Sequence, residues 1–165
     1  MDETTPPPGN QPFVAEAIAI MAPTAVGDAP KIERLGLTVE GEPEIQERVR
    51  MSKTGHPSEC PHLWDPSGKL KGKFCWAVWH ALKADLKFKM FPIFTGVLEI
   101  TFHFHVSNMR KDVDNMFKFV LDALNTSVYR DDRGVHKIVA TKHHSPDHGY
   151  TTISVEHLHP VHRIE

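Results

Sequence analysis

Only two cysteines, Cys60 and Cys75, occur among the 165 residues, which excludes a disulfide framework of the secreted kind. No apolar run is long enough to cross a bilayer, and the patch at residues 12–27 is broken by Glu16. Residues 1–30 contain no lysine or arginine, while Asp2, Glu3, Glu16 and Asp28 are all acidic. A start of that kind excludes a secretory signal peptide and argues against a transit peptide. The expectation is a soluble intracellular protein. Prolines are plentiful by contrast, with four of 13 in the first twelve residues, and no helical or strand period precedes about Lys31. Residues 1–31 therefore read as a flexible leader and residues 32–165 as one domain, long enough to bury a core.

The net charge of −2 hides a pattern. Outside the first thirty residues there are 19 basic and 17 acidic side chains, and within residues 48–89 nine basic residues face three acidic ones. A basic face beside a separate acidic cluster suits a protein that grips phosphates and holds a metal, although a solvated lysine-rich surface is the commoner explanation of such a run.

Residues 33–43 read as a strand ending in a Gly-x-Pro turn, and residues 54–69, dense in Gly, Pro and Ser, as a long loop. Phe74, Val78, Ala81 and Leu82 fall at helical spacing and predict a helix over 72–87. In VLEITFHFHV, residues 97–106, Leu98, Ile100, Phe102, Phe104 and Val106 share one face, the mark of a half-buried strand. Met116, Phe117, Val120, Leu121 and Leu124 then form one apolar stripe on a helix, with Asp114 ahead of it where a cap belongs. Residues 135–144 and 149–158 read as two more strands. The order β, α, β, α, β, β predicts an α+β domain with helices packed on a mixed or antiparallel sheet.

The stretch KDVDNMFKFVLDALNTSVYRDD, residues 111–132, puts Asp112 and Asp114 at one end of that helix and Asp131 and Asp132 at the other. Such a helix is about 18 Å long, so its ends meet only if residues 125–130 fold back along it in extended form. Converging carboxylates repel one another unless a cation sits among them. A hard divalent ion, Mg²⁺ above all, takes such oxygens and activates bound water for attack on phosphate. Lys118, one turn after Asp114, stands where it could reach a scissile phosphate. The plainer alternative stays equally open on spacing: a capping Asp114, a surface Asp114–Lys118 pair and a solvated Asp131–Asp132 turn.

Of two rival acidic motifs, one is excluded and the other disfavoured. An EF-hand loop needs an oxygen donor at Met116, glycine at Phe117 and glutamate at Ala123. A haloacid-dehalogenase phosphatase places Thr or Val where Met116 stands. The twelve histidines lack the paired ligand spacing of a structural zinc site. Trp76 and Trp79 lie on a helix that faces a core, so burial outweighs base stacking for them. Asp122 sits one turn beyond Lys118, consistent with an ion pair to that lysine.

KDVDNMFK, LDAL and DDRGV together resemble the signature of the RusA-type crossover-junction endodeoxyribonucleases, which resolve Holliday junctions. GEPEIQERVR and GVLEITFHFHV are similar to that family's opening and pre-aspartate strand, so the likeness spans roughly residues 35–158. It implies Mg²⁺, with Mn²⁺ as a substitute, held by Asp112, Asp114 and Asp132, and Lys118 as the basic residue needed for cleavage. It implies a homodimer making two symmetric nicks in branched four-way DNA. Arg48, Arg50, Lys69, Lys71, Lys73, Arg110 and Lys111 are the candidate phosphate contacts. Departures are Gly134, where the family commonly has glutamine, and NTSVY in place of a Gly-containing turn. An inactive junction-binding relative and a general phosphohydrolase are the alternative readings.

Overall fold

The computed structural model describes residues 13–21, 32–42, 50–51, 63–64, 68–87 and 92–158. Its strands are β1 (Val14–Met21), β2 (Ile32–Glu40), β3 (Arg50–Met51), β4 (Leu63–Trp64), β5 (Leu98–Val106), β6 (Val135–His144) and β7 (Tyr150–His157). Its helices are α1 (Gly68–Leu86) and α2 (Val113–Leu124). Five strands form one sheet in the order β1-β2-β7-β5-β6, and β3 pairs with β4 apart from it. β5 and β6 are parallel, while every other pairing in the large sheet is antiparallel. The domain is α+β with a mixed sheet, as the element order predicts.

The period of two in β5 does what the sequence requires, since Leu98, Ile100, Phe102, Phe104 and Val106 are all at most 1% exposed. Leu35, Leu37 and Val39 of β2 and Ile153 and Val155 of β7 continue the same apolar face. α1 and α2 cover it, and the three-ring contact Phe13–Phe74–Phe119 joins the sheet edge to both helices, at centroid separations of 5.1 and 5.8 Å. On α2 the buried set is Met116, Phe119, Val120, Leu121, Ala123 and Leu124. Phe119 is more deeply placed than Phe117, which lies half-buried at the stripe's margin.

Two expectations need correction. α1 begins at Gly68, inside the stretch that reads as loop, because its first two turns pack Leu70 against the core. Phe13–Met21, placed in a leader by sequence, instead forms the edge strand and its entry. Phe13 and Ala17 are buried, and Asp85 of α1 accepts a 3.0 Å hydrogen bond from the Ala17 amide, so strand pairing and helix contact both hold the segment. The rest of residues 1–31 and most of the 54–67 loop lie outside the described residues, as does Arg48; of Arg50 only its place in β3 is described. Among the described residues no helix is long and apolar enough to cross a membrane.

Candidate active site

The turn between β5 and α2 is fastened on two sides. From β6, the Lys142 ammonium donates to the carbonyls of Met109 at 2.7 Å and Lys111 at 2.6 Å. From the end of β2, Glu42 accepts the Ser107 amide and pairs with Lys111 at 2.9 Å. Within the turn, Asn108 accepts the Arg110 amide at 2.9 Å. The backbone entering α2 is therefore held by charge-assisted bonds, which are stronger than neutral ones.

Asp112, not Asp114, occupies the N-cap, and its carboxylate makes no capping hydrogen bond. An N-cap aspartate ordinarily spends its side chain on the orphan amides of the first turn, so this carboxylate is left for another use. Asp114 stands in the first turn, where the helix macrodipole favours negative charge. Its partner is Lys118 at 3.3 Å, and both side chains are more than half exposed. Such a pair holds weakly and gives way to a stronger ligand at little cost.

The helix's other end does not fold back. Ser127 and Val128 donate their amides to the Leu124 carbonyl at 3.3 and 3.0 Å, and Thr126 takes a positive φ of 69° to permit that tight reversal. The Val128 carbonyl accepts the Ile93 and Phe94 amides, and the buried Tyr129 hydroxyl donates to the Leu121 carbonyl at 2.7 Å. Burial foremost, then the charges of Asp132 and Asp122, push the Tyr129 phenol well above its usual pKa. Asp132 is thus a neighbour of Tyr129, at the C-terminal end of α2.

From there the chain enters a short 3-10 turn, Asp132–Gly134, and then β6, whose Val135 pairs with Leu98 while His144 pairs with Val106. Asp112 and Asp114 follow the Val106 end of β5, and Asp132 precedes the Val135 end of β6. α2, about 18 Å of helix, separates them. The expected fold-back is corrected accordingly: among the described residues no three His, Cys, Asp or Glu side chains form a group that could hold a metal ion.

The paired aspartates differ in their surroundings. Asp131 caps the 3-10 turn and takes bonds from the Arg133 amide at 2.9 Å, Nε at 2.8 Å and a terminal guanidinium nitrogen at 2.5 Å. The Arg133 hydrogen bonds hold its carboxyl well below the usual carboxylate range. Asp132 is exposed beside it. Gly134 stands where only glycine fits, since a Cβ there would lie 2.8 Å from the Gly96 carbonyl oxygen.

The basic candidates divide between the two ends. Arg110 and Lys111 flank Asp112. Lys69, Lys71 and Lys73 start α1, whose first turn carries no acidic residue. Lys71 pairs with Asp122 of α2 at 2.8 Å, which sets the start of α1 beside the end of α2 and places all three lysines near Asp132's end. Asp122 therefore holds Lys71 and not Lys118, and nothing in the sequence signals a pairing across 51 positions. Asp112, Asp114 and Asp132 offer hard, solvent-facing carboxylate oxygens, the donor chemistry of Mg²⁺ or Mn²⁺, and the chain carries them in two sets at opposite ends of α2.

Residues 40–156, more than half of the chain, match the family model described as Endodeoxyribonuclease RusA. No curated protein matches the chain.

Proposed function

The chain belongs to the Endodeoxyribonuclease RusA family, and from that premise we propose that it is a Mg²⁺-dependent nuclease resolving four-way DNA junctions as a homodimer. Each active site draws Asp112, Asp114 and Lys118 from one protomer and Asp132 from the other. The observation that carries this reading is the separation of the two acidic half-sets by the length of α2, with the edge strand β6 running between them.

Among the described residues β6 pairs on one side only, with β5. Its mid-strand neighbours Ile138 and Val139 are each 38% exposed, one on either face. A ten-residue edge strand with exposed apolar side chains is a template for pairing with a second chain. Antiparallel pairing of β6 with its own copy about Ile138–Val139 obeys twofold symmetry. It sets the Val135 end of one copy beside the His144 end of the other, and so sets Asp132 of each copy toward Asp112 and Asp114 of its partner. The lysines that open α1 travel with Asp132, giving each site a basic border drawn from both copies.

A divalent ion held by these carboxylates supplies an activated water and neutralises phosphate charge. The chain's own groups do the rest. Lys118, released from Asp114, turns its ammonium to the phosphate. Arg110 and Lys111 position the backbone through salt-dependent contacts that read shape and not sequence. Two equivalent sites about one axis account for two symmetric nicks.

The test is cleavage of a synthetic four-way junction with Mg²⁺ by the wild-type protein and by Asp114→Asn. Paired nicks by the former alone support the reading. Equal cleavage by both refutes the site, and junction binding in EDTA without nicking in any divalent metal favours an inactive binder.

A further inference from the structure

The sheet face turned away from the helices carries an unusual row of rings. Strand register sets His105 beside His143 on β6 and Tyr150 on β7. The His105 and His143 rings stack at 5.0 Å with 21° between planes, and His105 and Tyr150 at 4.1 Å with 7°. His103 lies 6.0 Å from His143. The Thr141 hydroxyl joins these two, 2.6 Å from His103 Nδ1 and 3.1 Å from His143 Nε2. His103 and His143 are exposed, and His105 and Tyr150 are half-buried.

Ring spacings this close to the strand separation of about 4.8 Å mean that the rings stand on edge across the sheet. Both faces of His105 are occupied, by His143 and Tyr150, which leaves no room for a base to stack on that ring. What remains for solvent is a rim of imidazole nitrogens and a phenol, in which each neutral imidazole donates from one nitrogen and a protonated one from both. A donor rim suits phosphate oxygens.

The charges around the row leave room for an anion. On the same face Glu99 pairs with Lys137 at 2.7 Å, Glu156 pairs with Arg34 at 2.6 Å, and Glu40 meets His148. Asp147 and His148 stand in the turn before β7, and Lys142 and His144 point to the other face of β6. Burial, then the neighbouring His143 and His103, hold the His105 imidazole below its usual pKa. Positive charge on His105 is thus opposed by its surroundings, and a phosphodiester laid along the row relieves that opposition. His105 is also the last outward residue of β5 before the turn bearing Arg110 and Lys111, and His143 lies beside it at the same end of the sheet.

We propose that His103, His105, His143 and Tyr150 form a phosphate-contacting strip that holds the backbone of a DNA arm leaving the cleavage site, more tightly as pH falls. This strip rests on the DNA-cleaving reading and extends it to a surface remote from the aspartates.

Binding of a labelled four-way junction in EDTA at constant salt tests it, at about pH 6 and about pH 8, on either side of the ordinary imidazole pKa. Wild type and Asp114→Asn are expected to bind roughly tenfold tighter at the lower pH, as added cationic contacts release counterions. The double variant His105→Gln/His143→Gln is expected to lose most of that difference, and His105→Lys/His143→Lys to bind at the higher pH as wild type does at the lower. A pH response unchanged in the glutamine variant, or absent in wild type, overturns the strip and leaves the nuclease reading intact. Failure of wild type to bind junctions at either pH overturns both.

Discussion

Lys142 of β6 donates from its ammonium to the carbonyl of Lys111 at 2.6 Å, fastening the residue that precedes the candidate metal ligand Asp112 to the sheet's edge strand. A second bond, to Met109 at 2.7 Å, makes the fastening two-pointed. The position of the α2 start, and with it Asp112 and Asp114, thus depends on a side chain about thirty residues away.

Replacing Lys142 by methionine keeps the aliphatic stem and removes both bonds. Hydrogen bonds to charged groups contribute about 1.5–3 kcal/mol, so a turn no longer held at that level is expected to lower junction cleavage roughly tenfold. Single-turnover rates on a four-way junction check this, with wild-type-like rates as the contrary result.

Tyr129→Phe strips the buried Leu121 carbonyl of its phenol partner while leaving the ring packed. The Leu121 carbonyl keeps the Asn125 amide at 3.2 Å, so the expected loss in urea unfolding is that of one ordinary hydrogen bond, about 0.5–1.5 kcal/mol. A variant as stable as wild type contradicts the role given to this bond in closing the end of α2.

Asp122 and Asp114 both pair with a lysine, but different duties are proposed for them. Asp122→Asn weakens a partly exposed pair to Lys71 and is expected to cost less than about 1 kcal/mol, with cleavage within about twofold of wild type. Asp114→Asn removes a proposed metal ligand and is expected to reduce cleavage at least ~100-fold. Parallel rates on one junction substrate decide it, and equal losses in the two variants contradict the assignment.

Partial burial alone would raise the Glu42 pKa, yet hydrogen bonds from Ser107 and the charge of Lys111 bring it below its ordinary value. A carboxyl lowered on folding adds stability that is present above the unfolded pKa of about 4.3 and lost as pH falls through the folded value. The stability gap between wild type and Glu42→Gln is therefore expected to shrink as pH falls below about 5. Urea titrations at a series of pH values measure it, and a gap constant with pH is the contrary outcome.

Much of this arrangement is legible in the sequence. The alternating run of β5 and the apolar stripe of α2 announce their elements because each buries one face. β1 does not announce itself, because Val14, Ile18 and Ile20 are apolar on the exposed face as well, and a strand apolar on both sides shows no alternation. The acids around α2 are visible as a group, but their relation is not. Whether residues 125–130 fold back or seal the helix end turns on the Tyr129 hydroxyl reaching Leu121, a contact that residue type alone does not signal. The fastening by Glu42 and Lys142 is equally invisible, since both come from distant strands.

Mixing two inactive variants tests the central claim that each site is shared between two copies. Homodimers of Asp114→Asn and of Asp132→Asn are both expected to be inactive. In a mixed dimer one site collects both substitutions, while the other combines the intact Asp112 and Asp114 of one copy with the intact Asp132 of its partner. Co-refolding the two variants is expected to restore nicking of one strand of a four-way junction by the mixed species. No nicking from the mixture, with mixed dimers demonstrated by mass, contradicts a shared site.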